Sequence, residues 1–122
     1  GMAGSGDMRA LLADESPDAA LAIDVYCHRV RKIIGAYAAV LGGLDGIAFG
    51  GGVGENAAPI RARVLADMDW LGMRLDAAAN NVATGPASCI NAAGSDCEAW
   101  VFAVDEAEEL ARAGQAWLHG AA

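Results

Sequence analysis

Aromatic side chains are scarce in this sequence. Phe, Trp and Tyr make up 6% of its residues, so the core has to be built from small side chains packed closely. Basic residues are few as well: 8 Lys and Arg stand against 16 Asp and Glu, a formal net charge of −8. With no basic run, nucleic acid and anionic membrane surfaces are poor partners. No apolar run reaches the ~18 residues of a membrane span, so no membrane association is expected. Asp7 and Arg9 interrupt the start, so no secretory signal pattern is visible. The three cysteines, Cys27, Cys89 and Cys97, are odd in number and form no C-x-x-C pair, which argues against a disulfide framework or a zinc site. Cys89 and Cys97 could meet across a turn, but three reduced thiols in a cytoplasmic protein are the expectation. What the sequence has in plenty is glycine, 16 of 122 residues, about twice the usual ~7% share. Either turns are unusually many or the backbone approaches something closely. The length fits one domain, and 55% hydrophobic residues, inflated by Ala, suffice for a core.

The apolar pattern predicts a helix–strand–helix order. Residues 1–9 are Gly-rich and read as loop, and a chain opening inside such a loop looks like a piece of something longer. Asp7 is positioned to cap a short helix over 8–13. Ser16-Pro17 is a strong helix start, a Ser N-cap followed by Pro at N1. From there Ile23, Tyr26, Cys27, Val30, Ile33, Ile34, Tyr37, Val40 and Leu41 mark the inner face of a long helix that stops at Gly42-Gly43. Asp24, His28, Arg31, Lys32 and Gly35 form its outer face, and His28 there reads as a surface or interface residue. Residues 44–49 read as a buried strand. A Gly-rich turn over 50–56 follows, and then a helix with Asn56 as N-cap, Pro59 in its first turn, an apolar face of Ile60, Val64, Leu65, Met68 and Leu71, and a stop at Gly72. Residues 76–86 read as loop or a short irregular helix. Strands over 87–91 and 99–104 are joined by the turn at 94–96. A last helix opens at Asp105, with Leu110, Ala111, Gly114, Trp117 and Leu118 on its apolar side. The order is that of an α/β domain with a short sheet and flanking helices, whose thin sheet would leave a long apolar edge.

The turn Gly50-Gly51-Gly52-Val53-Gly54-Glu55-Asn56 is the sharpest local feature. A Gly-rich turn between a buried strand and a helix leaves main-chain amides where phosphate is favoured, and glycine lets a ligand come close. No Lys-Ser/Thr follows, so it is not a Walker A loop. It can be aligned with a dinucleotide pattern as Gly52-x-Gly54-x-x-Ala57, which then requires an acidic residue at a strand end about 20 residues on. Asp67, Asp69 and Asp76 are near that distance but in or just past a helix. A tight turn with no ligand stays open as the plainer alternative.

Residues 38–76, through this turn, resemble the C-terminal part of acetate kinase and its propionate and butyrate kinase relatives. The family pattern there is a hydrophobic strand, Thr-Gly-Gly-Ile-Gly-Glu-Asn, and a helix with Val-Arg. Asp7-Met8-Arg9 is similar to the family's Asp-x-Arg element. Asp24-Val25-Tyr26-Cys27-His28-Arg29 and Ile34-Gly35-Ala36-Tyr37 are similar to its long helix. Val104-Asp105-Glu106-Ala107 sits where the family has Thr-Asn/Asp-Glu-Glu. Gly50 departs from the family's Thr, and Glu108 and Glu109 from apolar residues of the last helix.

The resemblance implies a partial ribonuclease-H-like domain of the acetate and sugar kinase, Hsc70 and actin superfamily. It implies that residues 1–122 form a single C-terminal part of an acyl kinase, serving nucleotide binding and dimerisation. By the same analogy Gly52, Val53, Gly54, Glu55 and Asn56 contact the adenosine part of ATP, with Asp7, Met8 and Arg9 as a second strip. Glu106 would serve a Mg2+ site. Plainer roles stay open: Asp7 as a helix cap, Arg9 as a solvated charge, and Glu106 as a complement to a helix dipole. The implied reaction is transfer of the ATP γ-phosphoryl group to acetate or another short-chain carboxylate, giving an acyl phosphate and ADP. The family's catalytic arginines, histidine and aspartate lie in an earlier part of its chain that these residues do not match. This chain alone is therefore expected to be inactive, a partner either of that N-terminal half or of a second copy as a homodimer. A non-catalytic nucleotide-binding or dimerisation module derived from an acyl kinase is the alternative.

Overall fold

A computed structural model describes residues 5–103 and 118–119 of the chain. Its elements are α1 (Ser5–Ala13), α2 (Pro17–Leu41), β1 (Gly46–Gly50), α3 (Gly51–Asn56), α4 (Ala58–Leu65), a 3-10 turn (Asp69–Leu71), α5 (Ala77–Asn81), β2 (Ala87–Cys89), β3 (Glu98–Phe102) and β4 (Leu118–His119). The start of α2 follows the sequence signal. The Ser16 hydroxyl accepts from the Ala19 amide at 3.2 Å, and Pro17 holds N1, where a missing N–H costs nothing. The Asp14 carboxylate in turn accepts from the Ser16 amide at 2.8 Å, which draws its pKa below the usual carboxylate range. At the other end Gly42 takes φ 77° and its amide closes on the Ala38 carbonyl.

Helix α2 buries Ile23, Cys27, Val30, Ile34 and Ala38, a stripe spaced three and four residues apart. Its last turns do not follow the expected inner face. Tyr37 is 55% exposed, Val40 81% and Leu41 61%. The reason is length: 25 residues span about 37 Å at ~1.5 Å per residue, whereas its helical neighbours α1 and α4 have 9 and 8 residues. Among the described residues nothing reaches far enough to cover the C-terminal end.

The sheet order is β2-β3-β1-β4. Strand β1 runs parallel to β3, with Ile47 opposite Ala99 and Phe49 opposite Val101, and parallel to β4, with Phe49 opposite Leu118. Strand β2 is antiparallel to β3. Because side chains alternate along a strand, Ile47, Phe49, Ala99 and Val101 face the core while Ala48, Trp100 and Phe102 share the half-buried opposite face. The Trp100 and Phe102 rings stack there with centroids 6.0 Å apart. The core is made of aliphatic side chains, methionines and two cysteines, with Phe49 its one buried aromatic among the described residues. All three thiols are free: burial pushes those of Cys27 and Cys97 up in pKa, while Cys89 is exposed.

Several boundaries differ from the sequence reading, each for a local reason. Helix α1 begins at Ser5, so Asp7 lies inside its first turn rather than at its cap. The Gly-rich turn is itself one and a half turns of helix, α3. Asn56 therefore ends a helix instead of starting one, and Ala57 occupies the N-cap of α4. Helix α4 stops at Leu65 because Ala66 turns extended (ψ 142°), and Gly72 closes the 3-10 turn instead. The sheet gains a fourth strand, since Leu118, expected on a helix, pairs with Phe49 and covers part of the β1 edge. The helix expected to open at Asp105 lies outside the described residues, apart from that strand. No described helix is long and apolar enough to cross a membrane.

Candidate nucleotide site

The site is built where β1 hands over to α3. Gly50 is still extended strand (φ −149°), and Gly51 reverses the chain at φ 72°, a left-handed conformation that an L side chain takes only at a cost. Gly51, Val53 and Gly54 are buried, Gly52 and Glu55 are half-buried, and Asn56 is exposed. The Asn56 amide nitrogen donates to the Gly52 carbonyl at 3.1 Å, tying the two ends of the short helix. One carboxylate oxygen of Glu55, Oε1, is buried with no hydrogen-bond partner among the described residues.

Helix α1 packs against α3. The two strips singled out in the sequence, residues 7–9 and 52–56, thus lie on two helices that pack together. Met8 is wholly buried and belongs to the same core cluster as Val53. The side chains of Met8 and Val53 are therefore core, and any ligand contact from these two residues is left to the backbone. Asp7 and Arg9, on either side of Met8, are exposed. Glu106 lies outside the described residues, and no group of three or more potential metal ligands occurs among the described residues.

The structure adds two residues that the sequence reading did not select. Arg61 on α4 is 2% exposed. Its Nη1 donates to the carbonyls of Gly54 and Glu55, both at 3.0 Å, its Nε to Asn80 Oδ1 at 2.7 Å and its Nη2 to the Asn80 carbonyl at 2.8 Å. Burial lowers its pKa from the usual guanidinium value, though all of these acceptors suit a cation. Asn80 is fixed in its turn: its side-chain nitrogen donates to the Ala58 carbonyl at 3.0 Å, and its helix α5 is capped by Asp76, which accepts from the Ala79 amide at 3.1 Å. One signal for Arg61 was available. It directly follows Ile60 and stands four residues before Leu65, inside the apolar stripe where a solvated arginine does not belong. Asn80 carried no such signal.

Other expected sites resolve differently. His28 is exposed on α2, in keeping with a surface residue. Arg31, read as outer-face charge, reaches the end of α4, where its Nη1 donates to the Val64 carbonyl at 2.9 Å and to that of Ala66. Arg63 pairs with Asp24 at the surface. The acidic residue that the dinucleotide pattern requires at a strand end is absent among the candidates: Asp67 sits in a turn at φ 55°, Asp69 in the 3-10 turn, and Asp76 is a helix cap.

Comparison with known proteins gives a consistent result. The model of the acetokinase family matches residues 1–113. The chain is 48% identical over 109 residues to the acetate kinase of Brachyspira hyodysenteriae, a match covering 88% of this chain and 27% of that protein. Among solved structures, acetate kinase from Porphyromonas gingivalis aligns with a TM-score of 0.75 at 33% identity, over 88% of this chain and 27% of that one. A propionate kinase from Francisella tularensis aligns with a TM-score of 0.69 at 36% identity, over 82% of this chain and 26% of that one. These neighbours belong to the actin, Hsc70 and sugar kinase superfamily, whose mixed α/β fold the chain shares. The chain spans about a quarter of the length of the curated relatives it matches.

Proposed function

The chain belongs to the acetokinase family, and from that premise we propose that it is the C-terminal, nucleotide-binding part of an acetate kinase. The whole enzyme would transfer the γ-phosphoryl group of ATP to acetate, forming acetyl phosphate and ADP. The observation that supports this reading is the packing of α1 on α3, the two helices that carry the strip 7–9 and the residues 52–56. The accessible groups there suit a nucleotide. Gly52, Glu55 and Asn56 supply backbone edges and a side-chain amide, while Asp7 and Arg9 add exposed charge on the adjoining helix.

Phosphoryl transfer to a carboxylate is a matter of alignment and charge stabilisation, because the nucleophile is weak and charge spreads over the phosphoryl oxygens. On this proposal the chain contributes alignment: it holds the adenosine end of ATP against a bend that the sheet makes rigid. Mg2+ would supply charge neutralisation at the phosphates. In this chain Glu106 is the residue that would serve it. The cationic groups that would meet the transferring phosphoryl group belong to the part of the enzyme outside this match.

Calorimetric titration with ATP tests the reading. The chain is expected to bind ATP, Gly54→Val and Arg9→Ala to weaken binding at least tenfold, and the chain alone to form no acyl phosphate in a coupled assay. Turnover should appear when the preceding part of a family member is supplied. A flat ATP titration, or NAD bound more tightly than ATP, would refute it.

The exposed end of α2 supports a second element of the proposal, a homodimer contact. Tyr37, Val40 and Leu41 lie together on its last turns, an apolar cluster that water would otherwise cover. Sedimentation velocity should show a dimer that Val40→Asp dissociates. A strict monomer at the highest attainable concentration would rule the contact out.

A further inference from the structure

The guanidinium of Arg61 is buried and surrounded by neutral acceptors, with no carboxylate among its hydrogen-bond partners. A buried ion of this kind is costly, and well-packed apolar groups commonly serve stability as well or better. What Arg61 holds is therefore informative. Two of its bonds end on the carbonyls of Gly54 and Glu55, at the end of a helix only six residues long, where carbonyls lack intrahelical partners. The peptide unit is planar and trans, so a carbonyl and the amide N–H that follows it share one plane and point in opposite directions. Holding the Gly54 and Glu55 oxygens therefore fixes the last two peptide planes of α3, whose N–H groups, those of Glu55 and Asn56, are the helix's own donors toward Gly51 and Gly52. Asn80 fixes the guanidinium from the far side, and it is held in place by its side-chain bond to the Ala58 carbonyl of α4 and by its own helix α5, where its amide donates to the Asp76 carbonyl.

We propose that Arg61 is a positioning residue for nucleotide binding: it locks the last turn of α3, and so holds the Gly-rich segment 51–56 in one shape against which the ligand docks. This rests on the nucleotide reading given above. It adds to that reading a residue that need not touch ATP at all, and it explains why a charge is retained inside the apolar stripe of α4.

The test uses the full chain and the variants Arg61→Lys and Ile90→Val. Lysine keeps the charge but cannot bridge Asn80 and both carbonyls with one ammonium group. Ile90 is fully buried and is not among the residues bonded to Arg61, so Ile90→Val is a stability control. In Arg61→Lys, exchange of the Glu55 and Asn56 amides is expected to quicken at least tenfold and the ATP Kd to rise at least tenfold, while the Val30 and Ile34 amides keep their protection. Ile90→Val should lower the melting temperature and leave the Kd within twofold. An Arg61→Lys chain with the parent's Kd and amide exchange overturns the proposal, as does an equal loss of affinity in Ile90→Val. If Arg61→Lys does not fold, Asn80→Ala, which removes the acceptor of Nε, should raise the Kd at least threefold, and an unchanged Kd would count equally against the role. A parent chain that binds no ATP brings down the nucleotide reading itself and the proposal with it, an outcome recognised from the unmodified chain alone.

Discussion

Arg61→Met is expected to remove about 3–5 kcal/mol of folding stability. Methionine reproduces the length and apolar body of arginine, so the packing of the stem is largely kept. What is lost is the donor set. The carbonyls of Gly54, Glu55 and Asn80 and the Asn80 side-chain oxygen all accept from this one group, at 2.7 to 3.0 Å. A buried acceptor left without a donor costs about 1–3 kcal/mol. Release of the guanidinium from its buried position offsets part of that sum. Since domains are stable by only about 5–15 kcal/mol, the variant should be barely folded. Urea unfolding measures the loss directly. The double variant Arg61→Met, Asn80→Leu should lose less than the sum of its two single variants, because the second change removes one of the stranded acceptors, the Asn80 side-chain oxygen. A loss under ~1 kcal/mol for Arg61→Met would show that the acceptors find other donors.

Gly51→Val is expected to cost about 2–4 kcal/mol, and Gly50→Thr clearly less, although the two positions are adjacent and both buried. Gly51 stands at φ 72°, where the Cβ of an L residue crowds the backbone and a β-branched one does so most. A second contribution comes from forcing a side chain into a buried bend. Gly50, by contrast, is extended at φ −149° and ψ 161°, a strand conformation that threonine favours. Its departure from the threonine of the family pattern is thus no requirement of the backbone. Thermal unfolding of the two variants decides the matter, and equal destabilisation would mean that space, not backbone conformation, governs the bend. If the bend also orients the proposed nucleotide contacts, ATP affinity should fall in Gly51→Val and hold in Gly50→Thr.

Much of the architecture was legible in the sequence because it is set by neighbours in the chain. Ser16-Pro17 and Gly42 bound α2 through hydrogen bonds that reach no more than four residues, and the alternation of Ile47, Phe49, Ala99 and Val101 marks the core face of two strands. The Gly-rich turn and the strip 7–9 were visible as motifs for the same reason. Where the reading slipped, the deciding contact was remote. The Gly-rich segment was expected as a turn leading into a helix, but it sits as a short helix of its own, with α1, β1 and α4 among the elements packed against it. Arg31 was expected in water, yet it caps a helix more than 30 residues away.

By itself, then, the sequence determined the long helix, the first three strands, most of the buried stripe of α2 and the family, since hydrophobic period, caps and motif spacing are local quantities. Only the tertiary structure decided that Met8 and Val53 turn inward, that Tyr37, Val40 and Leu41 stay exposed, and that Arg61 is buried with Asn80. Those outcomes depend on which surfaces meet and how far each neighbour extends, and a buried charge is tolerable only where distant backbone carbonyls converge to receive it.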